Sequence, residues 1–346
     1  MLAFFVTLTL VVGGVWIAMF PNSAAYLQQS VEGQMQLLFE GEPVAQYLED
    51  NSTSEELKAN LRLVQEVKTF AEQELKLSPT RNYQKYLDLK RDYLVMVLTA
   101  SPPLKMESKT WWFPVVGTVP YKGYFDIEMG KADEARLKAE GYETHFRASP
   151  AYSTLGWFED PLLSTMMQYG EYYLVNTIIH ESVHATHWVP GEVTFNENMA
   201  NFIGNKGAQR FYARKYGKGS DKYKQAIRKL KDQKIFADFL RKVAKKLKAV
   251  YDSDAFDANK REQKVTLINT MKKEYVDTVL PQIQSPGYAG FEKQDWNNAL
   301  LMSYLHYNTV QDKLEKIYQE LGEDIPKMME FLQRDDVLTH FQDTAP

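Results

Sequence analysis

The run His180-Glu181-Ser182-Val183-His184 sets two imidazoles four residues apart, with a carboxylate directly after the first. On an α-helix, positions i and i+4 stack one turn apart on the same face, so both rings can point a nitrogen at one ion. Histidine nitrogen suits Zn²⁺, and Glu181 stands where it can take a proton from water activated at that ion. The chemistry expected is zinc-assisted hydrolysis, with His180 and His184 as ligands and Glu181 as general base. Ser182 and Val183 carry no charge, and neither does the approach from Leu174 to Ile179. That is the pattern of a helix buried beneath a cleft.

Catalytic zinc ordinarily takes three protein ligands and leaves a fourth position to water. Glu197 is the expected third ligand, because Asn196-Glu197 followed by Ala200 resembles the second helix of the glutamate zincins. Its short spacing from His184 demands a tight turn, and Pro190-Gly191 supplies one. Glu192 is the rival ligand; otherwise it is a solvated loop carboxylate. His187 follows His180 by seven residues, roughly 10 Å along a helix axis. Bonds of about 2 Å cannot span that distance, so His187 reads as a neighbour of the site or a surface residue. Asn201, one turn after Glu197, reads as a ligand-orienting or a surface amide. One Zn²⁺ per chain is the cofactor expected.

Beyond these motifs the chain resembles a bacterial family of lipoprotein-like proteins described as aminopeptidases and taken to depend on zinc. The resemblance rests on Tyr26-Leu27-Gln28-Gln29 with Gly33-Gln34, on Trp112 to Gly117 running into Tyr121-Lys122-Gly123-Tyr124-Phe125, and on Ala151 to Phe158 with Asp160 to Thr165. It continues through the two metal motifs to Gly287-Tyr288 and Asn297-Asn298-Ala299 with Tyr304, covering most of residues 26–335. It implies a gluzincin-like zinc peptidase, action at peptide amino termini being implied by the family's name alone. Family members often carry a lipoprotein cysteine and a cysteine pair flanking the Phe-Pro-Val segment. This chain has no cysteine, with Trp112 and Thr118 at the places of that pair. Lipid anchoring and the disulfide are therefore not carried over.

The oxyanion of such a reaction needs a donor besides the metal. Tyr304 is the candidate: Asn297, Leu301 and Tyr304 share a helix face, and the resemblance places this helix and its tyrosine in the family pattern. His306 and Tyr307 are neighbours able to do the same work. Tyr152, Thr154, Leu155 and Gly156 resemble the edge strand on which zincins lay an extended peptide, an arrangement of main-chain pairing; a buried strand is the plainer reading. An aminopeptidase also needs a carboxylate for the substrate amine, and Asp160 and Glu192 are the two expected nearest the metal.

The elements that must position these groups are mostly helical. Thr53 with Glu56 forms a capping box before Leu57, Leu61, Val64 and Val67. A strand is expected over Tyr93 to Thr99, strands and turns over 104–128, a helix from Ala132 to Ala139 stopped by Gly141, and an extended segment over 142–158. Almost everything from Phe195 onward reads as helix, with a break at Gly217-Lys218-Gly219-Ser220. Phe236, Leu240, Val243, Leu247 and Val250 form one apolar stripe beside a lysine-rich outer face. The fold class is thus α+β and predominantly helical: a zincin-like metallopeptidase with a small sheet before the metal-binding helix. The organisation expected is residues 1–25 as anchor or signal, 26–217 as the catalytic region, and 218–346 as a helical region packed on it.

The 346 residues carry a net charge of −4, which gives no reason to expect nucleic acid as a partner. Leu2 to Phe20 is uncharged and close to the roughly 20 residues that span a bilayer, and Ser23-Ala24-Ala25 would suit signal cleavage. The expectation is a transmembrane anchor with the catalytic part extracytoplasmic, in the periplasm, or alternatively secretion there after cleavage. Two function classes remain: a zinc peptidase, exo- or endo-acting on peptides or proteins, and a membrane-associated binding or assembly factor on the same fold. Glu181 favours the enzyme, since a structural zinc site has no need of an acid beside its ligands.

Overall fold

The computed structural model describes residues 21–113, 117–149, 154 and 158–341. Helix α1 (Pro21–Phe39) leads through strand β1 (Glu42–Pro43) and helix α2 (Val44–Glu49) into helix α3 (Glu55–Gln73). Helix α3 buries Leu61, Val64, Val67, Phe70 and Ala71, which recur at three- and four-residue spacing. Its cap is Ser54 rather than Thr53. The Ser54 hydroxyl accepts from the Leu57 N–H at 3.2 Å, the third amide of the helix, which is the one an N-cap side chain reaches.

Six further strands and one helix follow in the order β2 (Lys85–Leu87), β3 (Val95–Ser101), β4 (Trp111–Phe113), β5 (Gly117–Val119), β6 (Lys122–Tyr124), α4 (Ile127–Ala139) and β7 (Glu143–Ser149). Strand β3, two residues later than its sequence pattern suggested, is the centre of an antiparallel sheet ordered β6-β3-β7. It pairs with β7 from Val95 opposite Ser149 to Ser101 opposite Glu143. Helix α4 begins before Ala132 because the Asp126 carboxylate caps it, accepting from the N–H groups of Glu128 and Met129 at 2.8 and 3.2 Å. Gly141, at φ +88°, closes it as expected. Strand β8 (Leu162–Leu163) joins β2 in parallel, and β1 flanks β2 on the other side.

From Glu171 the chain is almost wholly helical: α5 (Glu171–Thr186), α6 (Val193–Tyr216), α7 (Asp221–Tyr251), α8 (Asp257–Glu274), α9 (Asn298–Leu305), α10 (Gln311–Glu320) and α11 (Ile325–Leu332). The break expected between Gly217 and Ser220 separates α6 from α7; Gly217 is left-handed at φ +80°, and the Ser220 hydroxyl caps α7. One apolar core joins α3, α5 and α6 through Leu61, Val64, Ile178, Ile179, Ile203 and Phe211. A second joins α7, α8 and α9, where Phe236, Leu240, Val243 and Leu247 meet Tyr275, Phe291 and Trp296, with Val250 half-buried at its edge. Lysines on the outer face of α7 are paired, Lys242 with Glu274 and Lys248 with Asp252. The molecule is α+β and mostly helical, with three small sheets among the described residues.

The expectation of a transmembrane, membrane-bound protein with its bulk outside the cytoplasm requires correction. No helix among the described residues is long and apolar enough to cross a membrane. Helix α1 carries Gln28, Gln29, Glu32, Gln34 and Gln36, side chains that would lose their hydrogen bonds in hydrocarbon. The run Leu2–Phe20 that prompted the expectation lies outside the described residues. Neither the membrane partner nor the localisation built on that run is carried forward.

Candidate metal centre

Helix α5 starts after Gly170, left-handed at φ +85°, and Glu171 sits in its first turn where the helix dipole favours a negative charge. Its centre is apolar and fully enclosed: Val175, Ile178, Ile179 and Val183 are all 0 % exposed. The helix ends at His187, whose backbone turns extended (φ −151°, ψ 130°). This carries the His187 ring away from the helical stripe of His180 and His184, and the structure does not bring it into the ligand group.

Helix α6 lies close against α5 because glycines face it. A Cβ at Gly207 would stand 2.8 Å from Leu75 Cδ1 and 3.0 Å from Ile179 Cγ2; one at Gly204 would touch His180 Cβ at 3.4 Å. The turn between the helices is held by Asn196. Its Oδ1 accepts from Val189 N–H at 3.0 Å and its Nδ2 donates to Val189 C=O at 2.8 Å. Gly191 takes the left-handed conformation the turn requires, at φ +83°. The hairpin β4–β5 leans on the same turn: a Cβ at Gly117 would lie 2.9 Å from the Gly191 nitrogen.

This packing brings Glu197 onto the two histidines. His180 Nε2 and His184 Nε2 are 3.0 Å apart. Glu197 Oε2 lies 3.3 Å from the former and 3.7 Å from the latter. Three bonds of about 2 Å to a tetrahedral ion would separate their donor atoms by roughly 3.3 Å, so the spacing fits such an ion. The chemistry fits as well: three groups that can each offer a lone pair face one point. His180, His184 and Glu197 form a group able to hold a metal ion. Glu192, the rival, is exposed at the residue before α6 and takes no part.

Burial pushes the Glu197 carboxyl up, but the facing His184 and His180 outweigh it and hold the group well below the usual carboxylate range. For His180, burial favours the neutral ring, yet the bond to Glu197 and the charge of Glu181 leave its pKa raised. The Nδ1 atom of His184 is buried without a hydrogen-bond partner. The His184 ring is instead fixed by packing, edge-on to Trp188 at 5.3 Å between centroids.

Glu181 is half-buried and forms no hydrogen bond or ion pair with another described residue. Its charge is felt by four phenols, those of Tyr83, Tyr121, Tyr173 and Tyr307. Tyr121 and Tyr307 also feel Glu197; burial first, and then the carboxylates, keep both hydroxyls protonated, while Arg147 pulls the other way. Tyr83 reaches this position with a left-handed backbone, φ 64°, uncommon for a bulky residue. Its N–H donates to Asp160 C=O at 2.7 Å, and its C=O accepts from Gln65 at 2.8 Å.

Tyr304, the tyrosine singled out by sequence, packs its ring edge-on against Phe236 at 5.5 Å and Phe291 at 5.7 Å. Its neighbour Tyr307 is the one whose phenol feels both Glu197 and Glu181. The turn carrying Tyr307 is tied down by α6: Asn198 donates to His306 C=O at 2.7 Å and Asn201 donates to Tyr307 C=O at 3.0 Å. Asn201 thus orients a site residue, not a ligand. His306 is held between hydroxyls, Nε2 to Ser108 at 2.8 Å and Nδ1 to Thr194 at 3.0 Å. Of the expected peptide-binding strand, Tyr152, Leu155 and Gly156 lie outside the described residues. Thr154 is buried in a local turn, its N–H donating to Asp160 Oδ2 at 2.9 Å and its hydroxyl accepting from Phe158 N–H at 3.1 Å. Asp160 is therefore engaged by the backbone beside it.

Sequence reading missed Tyr83, Tyr121, Tyr173 and Arg147. They come from four separate segments, and no spacing links them. No curated protein and no solved structure matches the chain. A family described as "Putative aminopeptidase" matches residues 25–343, nearly the whole chain, and the protein belongs to that family.

Proposed function

We propose that the protein is a zinc-dependent peptidase in which His180, His184 and Glu197 hold the ion and Glu181 is the general base. One observation carries the reading: three ligand groups converge while the carboxylate next to His180 is left without a hydrogen-bond or ion-pair partner among the described residues. A bound zinc ion would supply Lewis acidity and bring the pKa of its water toward neutrality. Glu181 accepts a proton from the attacking water and returns it to the leaving amine. Tyr307, with Tyr121 beside it, offers a protonated hydroxyl to the oxygen that gains charge. Tyr304 keeps a place in the substrate's surroundings rather than at the reacting atoms. The small sheet ahead of a metal-binding helix is in keeping with a zincin-like arrangement.

The family's name supports action at peptide amino termini. The test begins with metal analysis, expected to find one zinc per chain, followed by hydrolysis of a peptide library. Chelation should abolish cleavage and added zinc restore it. Free peptides are then compared with N-acetylated ones: an aminopeptidase loses nearly all activity on acetylation, because the group that binds the amine is left unpaired. Equal cleavage of both at internal bonds would make the enzyme an endopeptidase. A zinc-loaded protein that cleaves neither would overturn the peptidase reading.

A further inference from the structure

A cavity of about 860 Å³ lies between α6, α7 and the chain around Gly287 to Glu315. Its place relative to the metal group follows from helical spacing. Asn201 lines it and follows Glu197 by one turn of α6, about 6 Å. Tyr173 lines it and precedes Glu181 by roughly two turns of α5, about 12 Å. The third link is Tyr307, which lines the cavity and whose phenol feels the charges of both Glu197 and Glu181. The cavity therefore lies within about one to two helical turns of the metal group along α5 and α6.

The far wall is aromatic. Phe236 meets Tyr288, Phe291 and Tyr304 edge-on, with centroids 5.1, 4.9 and 5.5 Å away. Most charged groups at the rim are paired: Lys206 with Glu315 at 2.8 Å, and Lys234 and Arg241 each with Asp312 at 3.1 Å, while the exposed Lys231 has no ion pair among the described residues. Inside that rim the wall contributed by Ile227, Leu230, Ala237 and Leu240 is apolar. The near wall presents uncharged amides, Asn201, Asn205 and Gln209, suited to the main chain of a peptide. The volume lies within the range of pockets that enclose small ligands.

We infer that this cavity is the specificity subsite, taking an aromatic side chain next to the bond that is cut, with Tyr288 and Tyr304 as its walls. The inference rests on the peptidase reading for its substrate class. It also assigns Tyr304 a role in selection.

Binding and hydrolysis are measured separately. Zinc-loaded Glu181→Gln protein is titrated by calorimetry with the tripeptides Ala-Phe-Ala and Ala-Ala-Ala. The aromatic peptide should bind at least about tenfold tighter, the scale of discrimination a hydrophobic pocket provides. Filling the cavity with Leu230→Trp or Ile227→Trp, both lining residues of α7, should erase that preference and leave Ala-Ala-Ala binding within about twofold. Two variants at separate positions, each checked for an unchanged melting temperature and zinc content, guard against misfolding. Equal affinity for the two peptides, no binding of either, or a preference surviving both filled variants would overturn the inference. A preserved aromatic preference in a protein that hydrolyses neither peptide would support the subsite while removing the peptidase reading.

Discussion

Helices α5 and α6 meet through glycines, amides and carboxylates, whereas α7 and α8 meet through aromatic rings and aliphatic chains. In the first pair, Gly204 and Gly207 let the backbones approach, and Asn176 donates to Asn205 at 2.9 Å across the contact. In the second, Phe239, Val243, Leu247, Met271 and Tyr275 are buried together. Apolar burial is where folding free energy comes from, so the second pair stabilises the molecule and the first gives up part of that stability to a polar cluster able to hold a metal ion. Substitutions in the two pairs should therefore separate chemistry from stability.

The sharpest separation is expected at Glu181. Glu181→Gln keeps the size of the side chain and removes the base, so peptide hydrolysis should fall by about 10²–10⁴-fold. Because Glu181 makes no hydrogen bond to a described residue, zinc content and melting temperature should stay as they are. Full activity in this variant would remove the base from the scheme. Next comes the ligand set. Glu197→Ala should weaken zinc binding by more than the 10–100-fold that loss of a supporting partner costs, and Glu192→Ala should leave it intact. The reverse pattern, read by metal analysis of the two purified variants, would move the third ligand to Glu192.

In the apolar pair the prediction inverts. Leu247 is 0 % exposed, and Leu247→Ala should lower unfolding stability by about 2–5 kcal/mol. Zinc affinity of the folded protein should not change. If denaturant melts instead show less than about 1 kcal/mol of loss, the second core is looser than its packing indicates.

These contrasts also show what the amino-acid sequence could reveal. The pairing of His180 with His184 was legible because i and i+4 on one helix need no tertiary information, and the approach of Glu197 to them was legible because a known turn signal, Pro190-Gly191, lay between. The α7 stripe was legible for the same reason of periodicity. Tyr307 was not separable from Tyr304, since three residues on one short helix and its exit differ only in which way the turn after Leu305 faces. That direction is set by Asn198 and Asn201 on a distant helix. The cap of α3 slipped by one residue because Thr53 and Ser54 are chemically equivalent there, and only backbone geometry chooses between them. Tyr83 and Arg147 had no local signal at all, and Tyr121 stood out only as part of the family resemblance, with no site role attached.

A smaller effect is expected where the polar pair is held by a single side chain. Asn196→Ala removes both bonds to the half-buried Val189 and leaves the turn held less firmly, at about 0.5–1.5 kcal/mol. Because the same turn sets the approach of Glu197, zinc affinity should drop together with stability, by about 10–100-fold. Loss of stability with unchanged zinc affinity would show that Glu197 is placed by the helix contact alone.

The smallest effect is invisible at neutral pH and appears only on acidification. Burial pushes His145 and His306 down to about 4, from an ordinary value of 6.5. Arg147 lowers His145 further and Glu134 opposes it, while the Glu197 charge opposes the shift of His306. A histidine depressed in the folded state is protonated more readily in the unfolded chain. Between about pH 6.5 and 4 the unfolded state therefore binds more protons, and stability falls as pH falls through that window. Above pH 7 both rings are neutral in either state and contribute nothing to the slope. The comparison to make is unfolding midpoint against pH for the zinc-loaded protein and for the double variant His145→Gln/His306→Gln. Other groups titrate in the same range, including the Glu197 carboxyl at its acid end, but they are common to both proteins and cancel in the difference. The double variant should start lower at pH 7.5, having lost the contacts of His306 to Ser108 and Thr194, and should lose less on going to pH 5. Parallel curves would mean that these histidines are hydrated in the folded protein, and that the enclosure of the 306–309 turn over the metal centre is less complete than its hydrogen bonds indicate.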